Sequence, residues 1–407
     1  WPGPLSVTPV GLCVLLQPGA KMVVSRLPPP CLPFLRLPPS SRPVRFCSSP
    51  VPPLPSPPAS SPTPPATQTH GRHRAPLFLR PLTHSATPAD LKAFHSWAAS
   101  LVLSSSAGFS HPSDPEPALL LRELRWLLQD ASTGSSFDPH YLFSPSPSPA
   151  SSPLDASTAP VPLRVELGEL YGLWRERVED RRPLQYLVGC EHWRDLVLVV
   201  REGVLIPRPE TEALVDMVAE VVAAAGEEGG GLWADLGTGT GALAVGIARV
   251  LEEGKGGRVY ATDVSADAIE VAKINVQRYG LEDKVEVRQG PWFQPLRDVK
   301  GMLSGLVSNP PYIPSSHIPG LQAEVSRYEP RLALDGGENG MDHLLHLCEG
   351  SSLALKPGGL FAFETNGDEQ SEFIAEFMST RWGNHFADIK IVSDFSGVKR
   401  FVVGFHR

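Results

Sequence analysis

Residues 308–314 read Ser-Asn-Pro-Pro-Tyr-Ile-Pro. Pro310 and Pro311 fix φ and carry no N–H, so the backbone carbonyls of Asn309 and Pro310 can be held rigidly outward. Asn309 adds a side-chain carbonyl acceptor, and Tyr312 adds an aromatic face. This set suits a planar NH₂ group. Two acceptors take its two hydrogens, the ring stacks on its plane, and the nitrogen lone pair points at an electrophile. A charged methyl donor needs no strong base beside it, because the proton leaves after the bond has formed. The rate gain comes from orientation and from acceptors matched to the positive charge developing on nitrogen.

A second group lies upstream, Asp235-Leu-Gly-Thr-Gly-Thr-Gly241. Gly237, Gly239 and Gly241, with Thr238 and Thr240 between them, permit positive φ and close backbone approach, so a ligand can reach the N-terminus of a following helix. The segment also fits a loosened dinucleotide fingerprint, with Gly237, Gly239 and Ala242 in register. Asp263 follows Gly241 by 22 residues. A carboxylate there can accept both hydroxyls of an adenosine ribose, a role common to NAD and S-adenosylmethionine sites. The bland alternatives are a helix-entry turn for the loop and a helix N-cap for Asp263, although Ser265 could cap that helix equally well.

The elements that must position these groups follow from pattern. Residues 232–236, 258–263, 285–289, 306–308 and 359–364 read as strands that alternate with helices to about 251, to 279, and over 341–355 and 368–378, the signature of a parallel α/β sheet. Two final strands, 389–392 and 401–405, have no helix between them and are expected as an antiparallel hairpin. Upstream, residues 196–200 and 204–206 flank Arg201-Glu-Gly203 and read as a β-hairpin, and a helix runs from Thr211 to about Ala225. Residues 90–143 carry apolar residues at spacings of three and four, with Asp114 or Ser113 as an N-cap, and a further helix covers about 164–180. These helices are too few for a large core and are expected as a small appended bundle. The boundaries read as a leader over 1–89, a helical unit over 90–190 with a Ser-Pro insert at 144–160, a hairpin linker over 191–210 and the sheet over 211–407.

The chain of 407 residues carries a net charge of −8, which averages two materials. Residues 1–89 hold 23 of the 44 prolines, eight Lys or Arg, and no Asp or Glu. From Met22, arginines among Ser, Pro and Ala with no acid have the composition of an organellar transit peptide; a Pro-rich arm or a polyproline ligand is the alternative. Residues 1–21 precede the first methionine and are expected to be an upstream translated segment or a gene-model artefact. Ser and Pro enrichment favours a chloroplast stroma over a mitochondrial matrix. The remainder has 28 basic and 44 acidic residues, a net of −16, which repels phosphate backbones and gives no support to direct nucleic-acid binding. No apolar run approaches the ~20 residues of a membrane helix. Outside the leader only Cys190 and Cys348 remain, without ligand spacing, so no metal site is expected and both read as small buried residues.

Three further strings narrow the chemistry: Arg182-Pro-Leu-Gln-Tyr-Leu-Val-Gly189, Leu205-Ile-Pro-Arg-Pro-Glu-Thr-Glu212, and residues 324–340, Glu-Val-Ser-Arg-Tyr-Glu-Pro-Arg-Leu-Ala-Leu-Asp-Gly-Gly-Glu-Asn-Gly. With the Gly loop and Asn-Pro-Pro-Tyr, they resemble the release factor glutamine methyltransferases (the PrmC or HemK family), which are class I S-adenosylmethionine-dependent N-methyltransferases. The similarity spans about residue 114 to the C-terminus, the insert excepted. It implies a small N-terminal helical domain, a β-hairpin linker and a seven-stranded Rossmann-like methyltransferase sheet, in the order read above. It also implies that Asp235, Gly237–Gly241, Asp263, Trp292 and Asn309 hold S-adenosyl-L-methionine, and that Asn309, Pro310, Pro311 and Tyr312 hold the substrate glutamine. Pro291 stands before Trp292 where the family usually has Asp, and Glu364-Thr-Asn366 replaces the commoner Glu-x-Gly. Arg208 and Glu212 are expected to order the linker over the site, or to form a surface salt bridge. The implied partner is an organellar class I peptide chain release factor, methylated on N5 of its Gly-Gly-Gln glutamine by a monomeric enzyme. Alternatives are a ribosomal-protein glutamine, an adenine-N6 or guanine-N2 nucleic-acid acceptor, and a binding factor without turnover.

Overall fold

The computed structural model describes residues 75–106, 114–132, 159–226, 230–253 and 256–407. The leader up to residue 74 and the insert up to residue 158 lie outside the described residues.

Helix α1 (Pro88–Ser106) buries Leu91, Phe94, Ala98 and Val102 along one stripe, the three-and-four spacing of an amphipathic helix. Its start is closed reciprocally: Asp90 N–H donates to Thr87 Oγ1 at 3.1 Å and Thr87 N–H donates to Asp90 Oδ2 at 3.2 Å, a capping box. Helices α2 (Pro117–Ala131), α3 (Leu167–Val178) and α4 (Leu184–Val188) complete the helical unit. Trp174 of α3 is fully buried in it, its Nε1–H donating to the Ala98 carbonyl at 3.1 Å. Two expectations change here. The folded part begins before residue 89, because Leu77 is fully buried in this core and β1 (His84–Ala86) pairs antiparallel with β2 (Val161–Leu163). The short apolar run 77–79 lies between prolines and was hidden by the leader's composition. Helix α2 is not capped by Asp114: Glu116 precedes it without a side-chain cap, and Asp114 accepts from Arg181 Nη1 at 2.7 Å. Ser113 lies outside the described residues.

The hairpin also differs. Strand β3 (Cys190–Trp193) pairs with β4 (Leu196–Val199) around Arg194, whose φ is 53°. Residues 204–206 form no strand. Val204 instead packs on Ala268 and Val271, while its carbonyl accepts from the Tyr186 hydroxyl at 2.7 Å. Apolar burial against a helix has overridden a strand-like pattern.

The sheet has seven strands: β5 (Leu232–Leu236), β6 (Arg258–Asp263), β7 (Val285–Gln289), β8 (Leu303–Ser308), β9 (Leu355–Glu364), β10 (Phe386–Ser393) and β11 (Lys399–His406), in spatial order β10-β11-β9-β8-β5-β6-β7. Strands β5 to β9 run parallel, and β11 and β10 close the edge antiparallel. Helices α5 (Glu212–Ala225), α6 (Ala242–Glu253) and α7 (Ala266–Arg278) pack on one face of the sheet, and α9 (Asp342–Ala354) and α10 (Asp368–Arg381) on the other. The short helix α8 (Ala323–Tyr328) precedes α9. Both faces are covered, which is why β8 is buried at every position and β5 at every position after Leu232. The chain leaves β5 for β6 and β7, then returns to β8 on the other side of β5. That reversal opens a crevice at the carboxyl ends of β5 and β8, where open α/β sheets bind ligands.

Candidate active site

The loop after β5 forms one side of this crevice. Gly237, Gly239 and Gly241 have φ of 78°, 55° and 82°, so the turn needs residues without a β-carbon. At Gly241 a β-carbon would also come within 3.2 Å of Ala272 Cα, so this glycine lets α7 approach. The N–H groups of Gly237 and Thr238 both donate to the Thr262 carbonyl at 2.9 Å, tying the loop to β6. Asp263 ends β6 and takes the Gly239 N–H on Oδ2 and the Ser265 N–H on Oδ1, each at 2.9 Å. Ser265, not Asp263, caps α7, accepting from the Ala268 N–H at 3.3 Å. Burial raises the Asp263 pKa against these amide bonds.

Asp235 is fully buried. Its Oδ2 accepts from Thr238 Oγ1 at 2.5 Å and from the Ala244 N–H at 3.1 Å, while Oδ1 has no partner. Burial pushes its pKa up to about 7 against those two bonds. Thr238 and Thr240 are buried, and the Thr238 N–H and carbonyl are spent on Thr262 and on the Gly241 N–H, so both residues shape the loop from behind. Trp292 lies across the loop, its ring close enough that a β-carbon on Gly237 would fall 3.4 Å from Cζ3. Its carbonyl accepts from Thr262 Oγ1 at 3.2 Å, and its own φ is 46°. Asp235, the Gly loop, Asp263 and Trp292 therefore converge as expected. An unpartnered buried carboxylate oxygen, a second carboxylate at the next strand end, open space at Gly239 and an aromatic ring fit a donor with an ammonium group, a ribose and a base.

Asn309 to Tyr312 form the opposite side. Ser308 Oγ donates to the Leu236 carbonyl at 2.6 Å, clamping the ends of β8 and β5 together. Among the described residues the Asn309 and Pro310 carbonyls accept no hydrogen bond, so both remain available to a ligand. The Tyr312 carbonyl is held by Gln370 Nε2 at 2.9 Å, and its hydroxyl reaches Glu364 Oε1 at 3.1 Å. Leu205, Arg208, Asn309, Pro310 and Tyr312 line a cleft of ≈ 350 Å³ with Val325 from α8. Arg208 Nη2 pairs with Glu329 Oε1 at 2.6 Å, the Glu329 side chain being only 2% exposed. Burial raises the Glu329 pKa, and the Arg208 charge opposes that shift. Arg208 thus belongs to the cleft wall. Glu212 does not: it accepts from the Arg194 N–H at 2.9 Å, at the hairpin turn.

Several supporting residues had been given no role from the sequence. The Thr211 hydroxyl joins Asn309 to Glu364. Asn275 of α7 holds both sides of Val199 and the Thr240 carbonyl through bonds of 2.8 to 3.0 Å, so one amide fixes the hairpin end and the Gly loop. Glu324 of α8 accepts from Arg177 Nη1 at 3.0 Å and from Arg181 Nη2 at 2.7 Å. Arg177 also meets Glu123 of α2 at 2.5 Å. This buried charged cluster fastens the helical unit to the cleft wall. Only buried charge with a distant partner could have signalled it. Cys190 and Cys348 are buried and free. Spacing gave no hint that Cys190, His192 and Asp130 meet. Cys190 Sγ lies 3.8 Å and His192 Nε2 3.3 Å from the Asp130 carboxylate, so they anchor the hairpin to α2.

Residues 232–301 match a family model described as a methyltransferase domain. The release factor glutamine methyltransferase of Thermosynechococcus vestitus is 42% identical over 241 residues, 59% of this chain and 80% of that protein. The chain belongs to the release factor glutamine methyltransferase family. Two further members are those of Gloeobacter violaceus, 40% identical over 61% of this chain and 87% of its own length, and of Synechocystis sp., 42% identical over 56% and 75%. The seven-stranded sheet with helices on both faces is the class I methyltransferase fold of the family, and its Gly loop and Asn-Pro-Pro-Tyr segment occupy neighbouring strand ends.

Proposed function

We propose that this protein transfers a methyl group from S-adenosyl-L-methionine to the side-chain amide nitrogen, N5, of the glutamine in the Gly-Gly-Gln motif of an organellar class I peptide chain release factor. The observation that carries this reading is the junction of β5 and β8. A loop suited to an adenosyl donor and a pair of unclaimed carbonyls suited to an NH₂ group are clamped side by side there by Ser308, in a chain of this family.

The donor supplies an electrophilic methyl carbon on a sulfonium. Asp263 and the Gly loop hold it by its ribose and backbone-facing groups, and Trp292 flanks its base. Pro310 keeps its own carbonyl aimed at the acceptor, beside the side-chain oxygen of Asn309. The acceptor nitrogen forms its bond to the methyl carbon as the carbon–sulfur bond breaks, and the nitrogen then releases one proton to water. Asn309 and Pro310 take the amide hydrogens throughout and stabilise the charge growing on nitrogen.

The test is transfer of labelled methyl by the purified chain to a Gly-Gly-Gln release factor, with a ribosomal protein, DNA and RNA as competing acceptors. Labelling of the release factor glutamine is expected. Labelling of another acceptor with the release factor untouched overturns the reading. The acid-free leader supports an organellar, chloroplast-directed protein, and a fluorescent fusion starting at Met22 is expected to enter plastids; a mitochondrial or cytosolic signal overturns that. Action as a monomer is part of the proposal, and one mass of about 44 kDa or less in light scattering supports it. No helix among the described residues is long and apolar enough to cross a membrane.

A further inference from the structure

Asn309 can serve an NH₂ acceptor only in one of its two amide orientations. Its Oδ1 must face the cleft, since its Nδ2 would oppose the acceptor's own N–H groups. The side chain is nearly symmetric in shape, so the cleft alone does not choose. The choice is made behind it.

Asn309 Nδ2 lies 3.1 Å from Thr211 Oγ1. Thr211 Oγ1 in turn lies 2.7 Å from Glu364 Oε2. A threonine hydroxyl has one proton to give, and here it goes to the carboxylate. Towards Asn309 the same oxygen can therefore only accept, so the end of the amide that meets it must carry hydrogen. Glu364 is fixed in turn, because its other oxygen takes the Tyr312 hydroxyl at 3.1 Å. Thr211 is 5% and Glu364 1% exposed, so water does not compete for these bonds. The chain of donors runs from Asn309 through Thr211 to Glu364 and has one direction while Glu364 is ionised.

We propose that Thr211 and Glu364 are positioning residues that set the polarity of the Asn309 amide, presenting its carbonyl oxygen to the acceptor nitrogen. This rests on the glutamine-amide reading above and deepens it. It also gives a role to two residues from separate strings: Thr211 from 205–212, and Glu364 from the end of β9. The first contributes the switch atom, the second its direction. If Thr211 is replaced by an apolar isostere, Asn309 keeps its backbone but loses the reason to point its oxygen outward.

The experiment measures methyl transfer, donor affinity and acceptor KM for the full chain and for Thr211→Val, Thr211→Ser, Glu364→Gln and the double variant Thr211→Val/Glu364→Gln, on whichever amide acceptor the wild-type chain labels. Thr211→Val is expected to lower kcat about 10- to 100-fold with donor affinity within about 2-fold, an effect of the size produced by one misaligned site group. Thr211→Ser keeps the hydroxyl and is expected to restore kcat to within about 3-fold of wild type. Glu364→Gln removes the forced direction without removing the partner and is expected to fall between. Because both residues act through one atom, the double variant is expected to be no slower than Thr211→Val alone. Wild-type kcat in Thr211→Val, no rescue by serine, or additive losses in the double variant overturns the proposal. A variant that fails to fold is recognised by lost donor binding, and the serine and glutamine variants then decide. A wild-type chain that labels a different amide overturns the release-factor reading while leaving this one to the same variants; one that labels no amide overturns both.

Discussion

The two sides of the crevice are held in different ways. On the donor side, the Gly loop is tied to segments no more than 35 positions away: two N–H groups on Thr262, one on Asp263, the Thr240 carbonyl on Asn275, and the buried Asp235–Thr238 pair three residues apart. On the acceptor side, Asn309 and the cleft wall depend on side chains from distant segments. Thr211 is 98 positions from Asn309, Glu364 is 153 from Thr211, and Glu324 is 147 from Arg177. Donor binding can therefore survive damage that disables transfer. A site that must take different acceptors in different enzymes gains from keeping its variable side on side chains.

The sharpest way to break this contrast is Asn309→Ala. Transfer is expected to fall about 10³-fold, the loss typical of removing a preorganised charge-stabilising group, with donor affinity within about 2-fold by calorimetry. Loss of both would show that the two sides are not separable. Next is Glu324→Ala, which leaves Arg177 and Arg181 buried without this partner. A destabilisation of about 3–5 kcal/mol is expected in urea unfolding, with acceptor KM rising before donor affinity changes in folded protein. The converse is Asp263→Ala: donor affinity is expected to weaken about 10- to 100-fold, the value of a charged hydrogen bond, with acceptor KM nearly constant.

The smallest effect concerns pH. Burial pushes the Glu364 carboxyl up to about 7, against the opposing pull of Thr211, Arg400 and Tyr312. In the unfolded chain it titrates near its ordinary 4.5. Between these values the native state holds the extra proton. Its contribution to stability is therefore fully present below about pH 4.5 and is lost as pH rises through about 7. Glu364→Gln removes that dependence. Melting curves should show the variant gaining on wild type by about 1–3 kcal/mol between pH 5 and pH 8. A constant difference would show that Glu364 is ionised throughout.

The donor side was legible in sequence because its geometry is local. Glycines at 237, 239 and 241 and a carboxylate at 263 state their purpose within about thirty residues, and the structure places them together. The parallel sheet with its antiparallel final pair was legible from alternation of strand and helix, whereas the spatial order of the strands came only with the structure. The acceptor side was half legible: Asn309 to Tyr312 announces itself, but its supports do not. Thr211 looks like a helix-entry residue, and Glu364 looks like a strand end. The hairpin was displaced by one strand, since 196–199 pairs with 190–193 before it and not with 204–206 after it; Val204 is buried against α7, and period-two alternation cannot distinguish that from pairing. The fold also starts earlier than composition indicated, because three apolar residues at 77–79 do not change the statistics of a proline-rich leader.

The cluster of Arg177, Arg181, Glu123 and Glu324 has a practical consequence for anyone exchanging parts between such enzymes. The helical unit meets α8 through matched charges, and α8 lines the acceptor cleft with Val325. A graft of a foreign helical unit would have to bring guanidinium groups at both arginine positions, or change Glu324 with them. A graft that supplied only one would leave a carboxylate half-neutralised under the wall it was meant to carry, and retargeting would fail there before any acceptor was met.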